Sequence, residues 1–299
     1  MARRWAVVLA ALLAGCAAAP PGPQAFSFGV MGDLPYSDGE ERRFVAMMAR
    51  MDAQPLAFVA HVGDFKGGGP CTDALYERRR AQFDRSAHPL VYTPGDNEWV
   101  DCRGAGDDSL ERLARLREMF FARPGALGRR SLPTQAQQHC LAPPVPGCGC
   151  GALPENRAWT RGPVVFATVH VVGSGDNTGF DERNDTEARC RREGNRRWLE
   201  AAFARAGAPE MRALVVLMQA NPFEALRPVH GALVSQLHDA AGRLGKPVLL
   251  VHGDTHTYRV DYPFAQVTRL ETFGSPFVGW VKVTVDPQSE NIFRFQPKR

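Results

Sequence analysis

Short apolar runs alternate along this chain with longer stretches whose apolar residues recur three or four positions apart. Phe26 to Met31 is apolar and halts on "GDLPY", "LAFVAHV" (56–62) halts on "GDFKGGG", and "HPLVYT" (88–93) halts on "PGDNEW". Between these runs, "EERRFVAMMARM" (40–51) and residues 73–85 show helical spacing. Strands alternating with helices predict parallel pairing through right-handed crossovers. Further on, "PVVFATVHVVGSGDN" (163–177) predicts a longer strand. An Arg-rich helix follows through "NRRWLEAAFARA", with Trp198, Leu199, Ala202 and Phe203 on one buried face. "RALVVLMQANPF" repeats the strand-then-polar theme, and residues 230–244 predict another helix. "VLLVHGDTHTYRVD" (248–261) then runs apolar from Val248 to Val251 and stops on His252, Asp254 and His256. From Tyr258 onward, "TRLETFG", "GWVKVTVD" and "NIFRFQP" favour antiparallel strands. Residues 123–162, rich in Pro, Gly and Cys, have no period and read as a disulfide-pinned insertion. With no internal repeat and no second linker, 26–299 is expected to be one domain.

Ligands of open α/β sheets bind at the carboxyl ends of strands. Collected by strand end, the polar residues are Asp33, Asp64, Asp96 with Asn97, Gln219 with Asn221, and His252, Asp254 and His256. If the strands are right, all share one rim, where converging carboxylates repel and must take up cations or protons. Two divalent ions balance four such charges. The Gly before each Asp predicts positive φ and close backbone approach.

This order resembles the calcineurin-like metallophosphoesterases, which include the purple acid phosphatases. That family runs D-x-H, G-D, G-N-H-[DE], a His after an apolar strand, and G-H-x-H. Here "GDLP", "VGDF", "PGDNEW", "VLMQANP" and "HGDTH" stand in those places, and "NRRWLEAAF" is similar to the family's Trp-Leu helix. The resemblance covers most of 26–260 and implies a four-layer α/β/β/α sandwich with mixed sheets and a two-metal hydrolytic site. Pro35 stands in place of the first His, Asp96 of an Asn ligand, Asn97 of the catalytic His, Gln219 of a His ligand, and Asp254 of the first His of the last motif. Carried over by position, one ion takes Asp33, Asp64 and His256, with Tyr36 nearby, and the other takes Asp64, Asp96, Gln219 and Asp254. So oxygen-rich a set suits Mn, Mg or Ca better than Zn or Fe. Asn97 and His252 are the expected catalytic residues. His252 either orients a ligand from behind or is a strand-end His bonded to backbone; His61 reads as structural.

Composition narrows the partners. A net charge of +4 with Arg spread along the chain gives no nucleic-acid stripe. No G-x-S-x-G elbow supports a Ser hydrolase. "MARRWAVVLAALLAGC" has the layout of a signal peptide, and Leu13-Ala14-Gly15-Cys16 resembles the bacterial lipobox, whose Cys is acylated. The expected organisation is a signal peptide at 1–15, a Pro/Ala-rich tether at 16–25, and a domain held in the cell envelope by its lipid alone. Six cysteines then remain, at 71, 102, 140, 148, 150 and 190, and read as disulfides, with Cys71 expected to pair with Cys102. The function these features imply is metal-dependent hydrolysis of small phosphomonoesters or diesters outside the cytoplasm. The alternative is an envelope binding protein that keeps the fold but has lost turnover.

Overall fold

The computed structural model describes residues 24–138, 143–149, 152–224 and 229–299. The expected signal segment with Cys16, and Cys140 and Cys150, lie outside the described residues. The first half runs β1 (Phe26–Met31), α1 (Asp38–Asp52), β2 (Val59–His61), α2 (Asp73–Asp84), β3 (Leu90–Tyr92) and α3 (Ser109–Phe121). The second half runs β4 (Gln135–Gln137), β5 (Leu153–Arg161), β6 (Val164–Thr168), α4 (Glu182–Ala206), β7 (Ala213–Leu217), α5 (Gly231–Leu244), β8 (Val248–His252), β9 (Arg259–Phe264), β10 (Val267–Glu271), β11 (Trp280–Val285) and β12 (Phe293–Lys298). Ser37, Thr72, Asp108 and Asp181 each accept a backbone N–H at the start of α1, α2, α3 and α4, fixing where the chain leaves each loop.

Two mixed sheets result. One has the order β12-β11-β1-β2-β3, the other β4-β5-β6-β7-β8-β10-β9. β1, β2 and β3 are parallel, as are β6, β7, β8 and β10. Side-chain alternation assigns the faces. Phe28, Val30, Phe58, Phe166, Val215, Leu249 and Val251 fill a core between the sheets. Met47, Phe83 and Phe120 pack α1, α2 and α3 on one outer face, and Trp198, Leu199, Phe203 and Leu237 pack α4 and α5 on the other. This is the α/β/β/α sandwich in four layers. No helix among the described residues is long and apolar enough to cross a membrane.

Three expectations need correction. The region 123–162 is no featureless insertion, because β4 and the nine-residue β5 extend the second sheet. Buried Glu155, Asn156 and Arg157 hide that strand's apolar alternation; each has internal partners, Arg117 and His170 for the first, Gln137 and Asn195 for the second and the Phe121 carbonyl for the third, whose Nη1 stays buried without one. The long strand over 163–177 ends at Thr168, and its tail becomes a tight turn over Ser174–Asn177. The tail strands are not all antiparallel: β10 joins β8 in parallel, while β11 returns to the first sheet beside β1. The expected Cys71–Cys102 disulfide is formed, and Cys148 pairs with Cys190.

Candidate metal centre

Asp33 follows β1, Asp64 follows β2, Asp96 and Asn97 follow β3, Gln219 follows β7, and Asp254 and His256 follow β8. The shared rim brings them together. The Asp254 N–H donates to Asp33 Oδ1 at 2.9 Å, and His256 Nε2 stands 3.8 Å from the same oxygen. Asp64 Oδ2 accepts from Tyr36 at 3.1 Å, from the Asn97 amide at 3.0 Å and from Gln219 at 3.3 Å. Gln219 also reaches Asp254 Oδ1 at 3.5 Å, while its own oxygen accepts the Gly173 N–H at 2.8 Å. Asn221 contributes its backbone, donating to Asp254 Oδ2 at 2.8 Å.

Close approach is what the glycines supply. A Cβ on Gly95 would overlap the Asp64 carboxylate and one on Gly253 the Asp33 carboxylate, so only bare backbone lets these loops meet. The expected positive φ falls mostly on the acids instead, at Asp33 (54°), Asp64 (56°) and Asp254 (79°), and on His256 (59°). The other left-handed non-glycine residues among those described are Ser174, Asp176 and Asn177, in the turn beside Asp96. Backbone strain of roughly 1–3 kcal/mol per such residue gathers at functional sites.

His256 has a defined tautomer. Its Nδ1 is 2.8 Å from the Ser275 carbonyl, which can only accept, so the proton sits there and the Nε2 lone pair faces the cluster. Buried glutamates hold the loops. Glu98 accepts the N–H of Phe65 at 2.7 Å and of Gly95 at 3.0 Å, tying the Asp64 loop to the Asp96 loop. Glu40 accepts from the Tyr36 N–H and the Ser275 hydroxyl, each at 2.8 Å. Lys66, also buried, gives its ammonium to the carbonyls of Gly69 and Asn97 at 3.1 and 3.0 Å, and the Cys71–Cys102 disulfide closes the same loop. The sequence reading missed Glu98, Glu40, Lys66 and Ser174. Only Ser174 carried a signal, since "GSGDN" ends an apolar run as the other clusters do.

His252 does not join the cluster. Strand alternation points Leu249 and Val251 at the opposite sheet and Val248 and Leu250 at the helices; His252 follows the second pair. Its Nδ1 bonds the Gly253 carbonyl at 2.8 Å, and burial drives the ring down to about 4, so it stays neutral. The expected catalytic role therefore has no geometry behind it, and the backbone-bonded reading describes this residue. His61, likewise helix-facing, bonds the Leu34 carbonyl at 3.1 Å among Phe44, Phe83 and Tyr92.

The charges are uncompensated. Among the described residues no Lys or Arg forms an ion pair with Asp33, Asp64, Asp96 or Asp254. Burial first, then mutual repulsion, pushes the carboxyl groups of Asp33 and Asp64 well up. Burial raises Asp96 to about 7 and Asp254 to about 6. Asp33 Oδ2 and Asp96 Oδ1 are buried with no partner. Ser174 Oγ lies 2.6 Å from both Asp96 and Asp101, yet one hydroxyl has one proton to give, so a carboxyl there carries its own. The only described trio of His, Cys, Asp or Glu donor atoms within 4.8 Å of one another is Cys71, Cys102 and Asp107, whose sulfurs are spent on each other. Among the described residues, no three of the His and Asp side chains of the rim bring their donor atoms that close. Orphaned oxygens, an imidazole lone pair and the lack of ion pairs to these acids among the described residues make the donor set fit divalent cations.

No family model and no curated protein matches the chain. Solved structures do. A dimetal phosphatase from Danio rerio superposes with a TM-score of 0.54 at 14% identity, over 86% of this chain and 92% of its own. A 5'-nucleotidase from Candida albicans gives 0.49 at 12%, over 93% and 52%, and Vacuolar Protein Sorting 29 from Cryptosporidium parvum gives 0.35 at 13%, over 92% and 97%. The fold is that of the calcineurin-like metallophosphoesterases, as the order of strand-end motifs implies, in a divergent form.

Proposed function

We propose that this chain is a divalent-cation-dependent phosphoesterase that hydrolyses small phosphoesters in the cell envelope. The observation that carries the reading is a set of four carboxylates, three of them buried, with one imidazole beside them and, among the described residues, no ion pair to a Lys or Arg, at the strand ends of this fold. Asp33, Asp64 and His256 would hold one ion and Asp64, Asp96 and Asp254 the other, while Gln219, expected as a ligand, has its oxygen on the Gly173 N–H and turns its amide N–H toward Asp64 and Asp254, steadying those carboxylates instead. Bound cations supply an activated water and offset charge on the phosphoryl oxygens. Tyr36, whose hydroxyl burial keeps protonated far above its ordinary range, steadies Asp64 from one side while Asn97 steadies it from another. An amide transfers no proton, so Asn97 leaves the departing alcohol without the acid worth about 10²–10⁴-fold in rate. Slow turnover with a preference for good leaving groups follows. The envelope assignment rests on the disulfides, which belong to oxidising compartments, and on the lipobox-like Cys16.

Asn97 also favours a second reading, a cation-binding envelope protein without turnover. Hydrolysis of 4-nitrophenyl phosphate and its bis-ester, measured with Mn²⁺, Mg²⁺ or Ca²⁺, separates the two. The expected result is cation-dependent release that Asp64→Asn lowers by about 10²-fold or more. Equal rates in the two proteins would mean a contaminating enzyme and sink the phosphoesterase reading. Raised thermal stability with cations but no release in either protein would support the binding reading.

A further inference from the structure

The carboxylate rim opens on a small cavity of about 280 Å³ whose walls include Asp96, Ser174 and Asp254. Val229 and His230 also line that cavity, and both line a second one of about 760 Å³ between α4, the first turn of α5 and the 143–149 loop. The larger space is the size of a small-molecule site. Val145, Val171, Ala232 and Leu233 are among its apolar walls, and several polar groups face it too.

The charged groups among them are paired with one another or with backbone. Arg192 bonds Asp176 at 2.5 Å, Arg196 bonds Glu193 at 2.7 Å and Glu200 at 2.5 Å, and Arg189 bonds the Pro146 carbonyl at 2.9 Å. Asn195 gives its amide to the His170 carbonyl at 2.7 Å and accepts from Asn156 at 2.8 Å, while Gln236 donates to the Arg196 carbonyl at 2.8 Å. A second phosphate would meet Asp176, Glu193 and Glu200 beside those guanidiniums, and their charge opposes another anion. An uncharged apolar group meets Val145, Val171 and Leu233 at no such cost.

Resting on the phosphoesterase reading, we propose that the larger cavity binds an uncharged, largely apolar group, the alcohol half of the ester, while its phosphoryl half lies among the carboxylates. The substrate class is then a phosphoester of a bulky apolar alcohol, for which a naphthyl group serves as the probe. The test uses 1-naphthol for binding, and 1-naphthyl phosphate against ethyl phosphate for Mn²⁺-dependent phosphate release. The full soluble domain and its Ala232→Trp variant, altered at an exposed helix position, are compared. Expected are saturable naphthol binding weakened at least tenfold in A232W, and a naphthyl-to-ethyl ratio of kcat/KM that falls at least tenfold. Ethyl phosphate turned over without naphthol binding would overturn this inference alone. Naphthol bound as expected with neither ester hydrolysed would support the ligand class and overturn the phosphoesterase reading. Equal naphthol affinity in both proteins would overturn the cavity assignment.

Discussion

Two groups of acids, joined by the turn over Ser174–Asn177, obey opposite electrostatic rules. Behind β5 and β6, Glu155 accepts from Arg117 and His170, Asp176 lies between Arg191 and Arg192, and Glu187 accepts from Arg191. Burial alone would raise Glu155 and Asp176; the guanidinium groups beside them more than reverse it and hold both below the ordinary range. Across the rim, Asp33, Asp64, Asp96 and Asp254 meet the same burial with no cation, and all are raised. The first set is complete when the chain folds. The second lacks its counter-charge, and on the proposed reading a bound cation would supply it, which would separate an acid kept for structure from one kept for a ligand.

Deleting one counter-charge gives the largest contrast. Arg191, 1% exposed, donates to Asp176 Oδ1, whose other oxygen accepts from Arg192, and is one of the partners of Glu187. Arg191→Met strands buried acids and should cost about 3–5 kcal/mol, read from the urea midpoint. Asp64→Asn, in buffer freed of cations by a chelator, removes an unpaired charge and should leave stability equal or higher. If Asp64→Asn proves the more damaging there, the two regions do not differ as described.

Titration sharpens the same comparison with a smaller effect. An acid whose folded pKa is raised stabilises the fold while protonated, and that contribution is lost as pH climbs from the unfolded value through the folded one. With Asp254 pushed up to about 6 and Asp96 to about 7 from 3.8, the cation-free protein should lose stability between about pH 4 and pH 7. Each tenfold change in proton affinity is worth roughly 1.4 kcal/mol, so a loss of a few kcal/mol is expected. Glu155 and Asp176, held low, run the other way: their contribution is present above the ordinary carboxylate range and fades only as pH falls through their depressed values. A flat chelated profile from pH 5 to 7, unchanged in Asp96→Asn, would show that the rim acids are not uncompensated.

The sequence disclosed the two regions unequally. Rim acids were legible because each ends an apolar run, and a strand's carboxyl end is where such residues meet; Asp33, Asp64, Asp96, Gln219, Asp254 and His256 follow from that rule. The paired region was not, since Glu155, Asn156 and Arg157 read as polar loop until their partners on α3, α4 and the chain after β6 are in place. His252 fails for a simpler reason: a residue one position inside the strand obeys its alternation, and one beyond it does not. The strain was out of reach too. A Gly-Asp pair signals a turn, yet which of its residues takes the left-handed φ depends on what the backbone must approach, and here Asp33 and Asp254 take it while Gly32 and Gly253 are pressed against neighbours.

The smallest effect tests the boundary between the regions, the turn over Ser174–Asn177. Its first residue serves the rim through Asp96, and its third serves the paired set through Asp176. Ser174 sits at φ 46°, where a side chain is unwelcome. Ser174→Gly removes the hydroxyl and relieves that strain, whereas Ser174→Ala removes only the hydroxyl and keeps it. Alanine should therefore be less stable than glycine by about 1 kcal/mol. Both leave Asp96 facing Asp101 without the shared hydroxyl, so Mn²⁺ affinity, read from the concentration dependence of the melting temperature, should change by a similar factor in the two variants. Affinity that tracked stability instead would mean that the turn acts through its backbone and that the Ser174 hydroxyl does not position Asp96.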